Sequence, residues 1–107
     1  MRREILDDVL GAALDGGITH WCLNAAVVNT WPAGAQYASE AVSRGATLLL
    51  GVDGANPVTL DQHQLAKGIR LAARQAGMSL ETFYDCHDAG MADNAVQFAV
   101  FGEVRYC

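Results

Sequence analysis

An α+β fold is predicted for this chain, with about three main helices packed on a small antiparallel sheet. Three observations predict it. Three segments place apolar residues at helical spacing between recognisable stop and start signals. Two short runs are rich in β-branched and aromatic residues and bounded by turn residues. The length of 107 residues suits one domain over residues 1–107 and leaves no room for two.

The elements follow in order. From Arg2 to Leu14, the residues Ile5, Leu6, Val9, Leu10 and Ala13 share one helical stripe, with Arg3, Glu4, Asp7 and Asp8 largely outside it. Gly16-Gly17 ends that helix. Ile18 to Asn29 predicts a strand, broken by Trp31-Pro32 through Gly34 because proline cannot donate to a ladder. Tyr37 to Gly45 predicts a short helix over Glu40 to Arg44 capped by Ser39, an edge strand being the alternative. Ala46 to Val52 predicts a buried strand, and Asp53-Gly54 a turn. Thr59 with Gln62 fits a capping box for a helix running to about Ala76, with Leu65, Ile69, Ala72, Ala73 and Ala76 on its apolar side. Leu80 to Tyr84 predicts a short strand or loop. Asp88 caps a last helix through about Phe101, with Ala92, Ala95, Val96 and Ala99 inward, and Gly102 stops it. Glu103 to Tyr106 predicts a short extended tail.

Composition narrows the function classes. Seven basic residues against twelve acidic ones give a net charge of -5, the wrong balance for direct binding to nucleic acid. No apolar run reaches membrane-spanning length. The three cysteines, Cys22, Cys86 and Cys107, cannot all pair within one chain, which predicts free thiols in a reducing, cytoplasmic setting. Hydrophobic residues at 51% with only 18% charged hint at apolar surface covered by a second copy, hence a homo-oligomer.

No catalytic motif is legible. Phosphate-binding glycine loops, G-x-S-x-G and H-E-x-x-H are all missing, so an enzyme is the class the sequence supports least. His20, Cys22, Cys86 and His87 supply soft metal ligands without zinc-site spacing; a buried Cys22 and two unrelated histidines are the plainer reading, and neither metal nor cofactor is expected. Cys86 stands between acids that disfavour a thiolate. Asp85, Asp88 and Asp93 read as a charge group at a helix N-terminus. Lys67, Arg70 and Arg74, spaced i, i+3, i+7, form a basic stripe able to hold phosphate or carboxylate, unless nearby acids neutralise it. Trp21, Trp31, Tyr37 and Tyr84 are candidate stacking surfaces for a base or ring, unless they are core.

The runs LDGGITHWC, YASEAVSRGATLLL, VTLDQHQLAKGI and DAGMADNAVQFAVFGEVRY, in that order across nearly the whole chain, resemble a small family common in bacteriophages and prophages. Its members read TALEGGINYWC, a YASE segment with SRGG, an LTLD-led helix and a final VQ…FGE…Y run. His20 stands where that family has Tyr, Cys107 where it has Gly, and Ala46 where it has a second Gly. The resemblance implies a phage or mobile-element accessory protein in the bacterial cytoplasm and carries over no catalytic residue. Accessory proteins of this kind often counter host defence, which leaves two main expectations. One is a sponge that sequesters a nucleotide-type immune signal without cleaving it, through Trp21, Trp31, Tyr37, Lys67, Arg70 and Arg74. The other is an acidic inhibitor of a host defence protein, of the anti-CRISPR kind. A minor virion or morphogenesis protein is a third.

Overall fold

The computed structural model describes all 107 residues. Helix α1, Arg3–Ala12, buries Ile5, Leu6, Val9 and Leu10, the stripe its spacing predicts. It continues into a π-helical turn, Ala13–Gly17, closed by the Ile18 N–H donating to the Ala13 carbonyl at 3.0 Å. The strand expected from Ile18 is shorter. Residues 18–21 form a turn in which the Trp21 and Cys22 N–H groups both donate to the Ile18 carbonyl, and β1 spans Cys22–Val27. The turn won because burying the Trp21 ring fixes the backbone there before the ladder begins.

A loop leads to α2, Ala38–Ala41, and a 3-10 turn, Val42–Arg44. This is the helical alternative for 37–45, with a different cap. Glu40 reaches back to accept from the Gln36 and Tyr37 N–H groups, while Ser39 lies within the helix. Strands β2, Leu48–Val52, and β3, Val58–Leu60, complete an antiparallel sheet in the order β1-β2-β3. The third strand takes up residues that the sequence pattern assigns to the start of the next helix. Thr59 pairs with Leu49 in the sheet, so the capping box shifts two residues. Asp61 accepts from the Gln64 N–H at 2.8 Å, and Gln64 accepts from the Asp61 N–H at 2.9 Å. Helix α3 then spans Gln62–Gln75.

Leu80–Cys86 is a helix, α4, not the strand or loop its composition suggests. Ser79 caps it by accepting from the Thr82 N–H, and Phe83 is its buried anchor. Helix α5, Ala89–Phe101, is capped by Asp88 and ends at Gly102 in the left-handed region (φ 76°), where glycine lacks the Cβ penalty.

The inner sheet face, with Leu48, Leu50 and Leu60, packs beneath the helices in one apolar cluster. Helix α5 is the central element. Gly68 of α3 lies so close to it that an added Cβ would stand 2.2 Å from the Ala95 carbonyl oxygen. Gly17 approaches the N-terminus of α5 almost as closely. No helix is long and apolar enough to cross a membrane.

Candidate functional site

Helix α5 carries two buried polar residues, Asp93 and Gln97, one turn apart on an otherwise apolar face. Their partners explain why they are there. The Trp21 indole N–H donates to Asp93 Oδ1 at 2.7 Å, and Gln97 Nε2 donates to the same oxygen at 2.9 Å. Asp93 Oδ2 lies 3.4 Å from His20 Nε2. Gln97 Nε2 also donates to the Tyr106 carbonyl, and Gln97 Oε1 accepts from the Arg105 and Tyr106 N–H groups at 2.7 and 2.8 Å. Both N–H bonds and both lone pairs of the Gln97 amide are therefore used. The Tyr106 ring stacks on Trp21 at 5.6 Å and 11°, and Phe101 meets it tilted at 5.3 Å. This is a clasp that locks the C-terminal tail and the 18–21 turn onto α5.

The clasp removes Trp21 from the candidate stacking set. Its side chain is 1% exposed, and Tyr106 already covers its ring. It also changes the reading of the acids near α5. Asp88 is a helix cap, as a terminal charge group would be, but Asp93 is a buried acceptor for an indole. His20 reaches the surface beside it, yet no hydroxyl or thiol hydrogen-bonds to the His20–Asp93 pair. The nearby Cys22 thiol donates instead to the Asn24 carbonyl at 3.2 Å, and burial pushes its pKa above the ordinary thiol value. His87 lies against Tyr84, its Nδ1 2.7 Å from the Tyr84 carbonyl. No three His, Cys, Asp or Glu side chains gather in a metal-holding group.

Two surface grooves of opposite charge remain. The first lies where α3 runs into α4. Arg70 and Arg74 line a cavity of about 350 Å³ with Ala73, Met78 and Leu80, and no acid borders it. Lys67, Arg70 and Arg74 are all exposed. None takes part in an ion pair, since the paired cations are Arg2, His20, Arg44 and Arg105. The stripe is thus a row of free cations, and two of them share a concavity with apolar walls.

The second groove separates α1 from α2. Glu4, Asp7, Asp8, Asp15 and Glu40 line about 470 Å³ of it with Tyr37 and Ser39, and an adjoining 370 Å³ reaches Leu14 and Ala38. Arg44 approaches Asp7 Oδ2 at 3.6 Å, and Asp7 Oδ1 is buried without a partner. The Tyr84 hydroxyl donates to Asp8, which raises the Tyr84 pKa. Tyr37, two-thirds exposed, therefore stands among carboxylates and not beside Arg70 and Arg74. Trp31 is half exposed, its indole N–H donating to the Ala35 carbonyl of its own loop. Of the six predicted ligand residues, only the two arginines share a cavity.

The chain matches no protein-family model, no curated protein and no solved structure.

Proposed function

We propose that this protein is a non-catalytic accessory protein of the phage or mobile-element kind. It counters host defence by sequestering a nucleotide-type immune signal, with Arg70 and Arg74 as its phosphate-binding residues. The observation that carries this reading is the α3 groove. Two unpaired guanidiniums one turn apart face a cavity free of acids, on a protein of net charge -5. Guanidinium forks suit phosphate oxygens in bidentate geometry. Met78 and Leu80, rather than an aromatic ring, supply the apolar wall against which a ring of the ligand packs.

The test is a thermal-shift screen against cyclic dinucleotides, cyclic trinucleotides and ADP-ribose-derived signals. Ligand at 100 times its dissociation constant adds about 2.7 kcal/mol, several degrees for a chain of this size. The shift should vanish in the Arg70→Ala/Arg74→Ala variant, and mass spectrometry should recover the ligand unchanged. A flat screen, or a shift indifferent to that variant, removes this reading.

The acidic groove favours a second reading, an inhibitor that docks a basic host protein by imitating phosphate. Five of the twelve acids line that one groove. Such a complex weakens steeply with salt, and Asp15→Asn with Glu4→Gln should weaken it at low salt. A salt-insensitive complex contradicts it.

A further inference from the structure

Helix α3 carries charge of one sign. Its 14 residues include Lys67, Arg70 and Arg74 and no acid, although the chain as a whole has twelve acids against seven basic residues. Of the four basic residues outside it, Arg2, Arg44 and Arg105 are ion-paired. Apart from Arg3, the unpaired lysines and arginines are therefore all on this one helix. His63 belongs to the same row. It is exposed and has no polar partner, whereas His20 lies against Asp93 and His87 against the Tyr84 carbonyl. At 3.6 residues per turn, His63, Lys67, Arg70 and Arg74 fall within about 60° of the helix circumference, along about 16 Å of its axis.

Such a row works against the helix that bears it. Lys67 with Arg70 at i, i+3, and Arg70 with Arg74 at i, i+4, are like-charge neighbours, which destabilise a helix. The macrodipole accounts for Arg74, in the last turn, but not for Lys67 two turns earlier. No group of the chain balances the row, so the balance falls to an anion from outside. The cavity accounts for only part of it. Arg70 and Arg74 line that cavity and Lys67 does not. A single phosphate in the fork of the two arginines leaves Lys67 free, about 7–8 Å along the axis from their midpoint. Met78 and Leu80 wall the cavity, and both follow Arg74 in the chain, away from Lys67. Beyond His63 the row stops at Asp61, the N-cap acid.

We propose that the α3 site selects ligands with two phosphate groups set apart from each other. Arg70 and Arg74 hold the first and Lys67 the second, with His63 as a further donor. The inference rests on the anion-binding reading of the same groove and adds which members of that ligand class it takes. A ring packs on Met78 and Leu80, and the phosphates run from there toward the N-terminal end of α3. Short oligonucleotides, linear or cyclic, place a sugar between successive phosphates and can engage both positions. ADP-ribose and its relatives hold their two phosphates adjacent, so both crowd the arginine fork and leave Lys67 without an anion. A longer strand gains little, because its next phosphate past His63 meets the Asp61 carboxylate. Lys67 is thus a specificity-determining residue: it distinguishes separated from adjacent phosphates at equal ligand charge.

Calorimetric titration with two adenine probes tests this. ADP has adjacent phosphates, the linear dinucleotide pApA has its two separated by a nucleoside, and both carry a charge of about -3 near neutral pH. The full-length protein should bind pApA at least about fivefold more tightly than ADP. Lys67→Ala should weaken pApA on the order of tenfold and ADP by less than about twofold. It should also make the slope of log K against log salt for pApA shallower by about 0.7, one phosphate contact. Lys67 is exposed and alanine favours helix, so the circular dichroism spectrum should not change. Arg70→Ala/Arg74→Ala should abolish binding of both probes. Equal affinity for ADP and pApA, or pApA binding indifferent to Lys67→Ala, overturns the selection for separated phosphates and leaves the groove reading standing so long as the double arginine variant abolishes binding. Binding of pApA unaffected by the double variant overturns both, and so does the failure of either probe to bind at millimolar concentration.

Discussion

Replacing glycine with alanine in a helix ordinarily stabilises it by about 1 kcal/mol, and this chain offers two helical glycines where the same change has opposite outcomes. Gly11 in α1 has room: an added Cβ meets only Ser39, at 3.8 Å, an ordinary contact. Gly68 in α3 has none. Its Cβ would lie 2.2 Å from the Ala95 carbonyl oxygen, 2.7 Å from the Ala99 Cβ and 2.8 Å from the Ala99 nitrogen. Two of those atoms are backbone, so no rotamer relieves the clash and the helices must part by roughly 1 Å. Overpacking of this kind costs about 1–3 kcal/mol or more, and separation also loosens Leu65, Ile69, Ala95 and Val96 in the same cluster. The gain in helix propensity offsets about 1 kcal/mol. With three contacts under 3.0 Å the overpacking cost lies at the upper end, so the net for Gly68→Ala is a loss of about 2 kcal/mol, and for Gly11→Ala a gain of about 0.5–1 kcal/mol. Urea unfolding followed by circular dichroism measures both against wild type. A Gly68→Ala midpoint at or above wild type would refute the claim that α3 and α5 meet backbone to backbone at this point.

Other consequences follow from the clasp, the buried Cys22 thiol and the Tyr84 hydroxyl on Asp8. Asp93→Ala leaves the Trp21 indole N–H and one Gln97 N–H buried without their acceptor, and should cost about 3 kcal/mol; an unchanged unfolding midpoint, read by tryptophan fluorescence, contradicts that. Gln97→Leu should free the tail, so that hydrogen exchange at Arg105 and Tyr106 rises at least tenfold while α3 amides hold; equal protection in the variant contradicts the clasp. The fold holds Cys22 and Tyr84 in their protonated forms, with both pKa values raised. Their contribution is therefore complete below the ordinary thiol and phenol values of 9.0 and 10.0, and is lost as pH rises through the raised ones. The urea midpoint should fall as pH rises above the ordinary thiol value of 9.0, and fall less in Cys22→Ala/Tyr84→Phe; identical slopes contradict this.

Where the sequence carried strong local signals, the elements were legible. The α1 stripe, the Asp88 cap and the Gly102 stop stand where their spacing and chemistry put them. The misses came where tertiary pairing outweighed local preference. Thr59 and Asp61 each begin a plausible capping box, and only the β2 pairing decides in favour of Asp61. Leu80 to Tyr84 has strand-like composition, but the Ser79 cap and the buried Phe83 make it a helix. Ile18 to Trp21 looks like strand, yet the partner of its indole lies 72 residues away on α5, beyond the reach of local pattern. The clasp did leave a trace: Asp93 and Gln97 at i, i+4 interrupt an apolar helix, and such a pair demands buried partners. The Lys67, Arg70, Arg74 stripe was legible because helical spacing alone places it. That Tyr37 would face carboxylates was not, because the docking of α2 on α1 sets that environment.

The most direct measurement of the functional claim is calorimetric titration of the purified protein with the strongest hit among cyclic oligonucleotides and ADP-ribose-derived signals, alongside Arg70→Ala/Arg74→Ala. A sponge built on Arg70 and Arg74 gives saturable binding, an affinity at least a hundredfold weaker in the double variant, and ligand recovered intact from the complex. Binding unchanged in the double variant, or ligand recovered as cleavage products, would contradict a non-catalytic sponge built on α3.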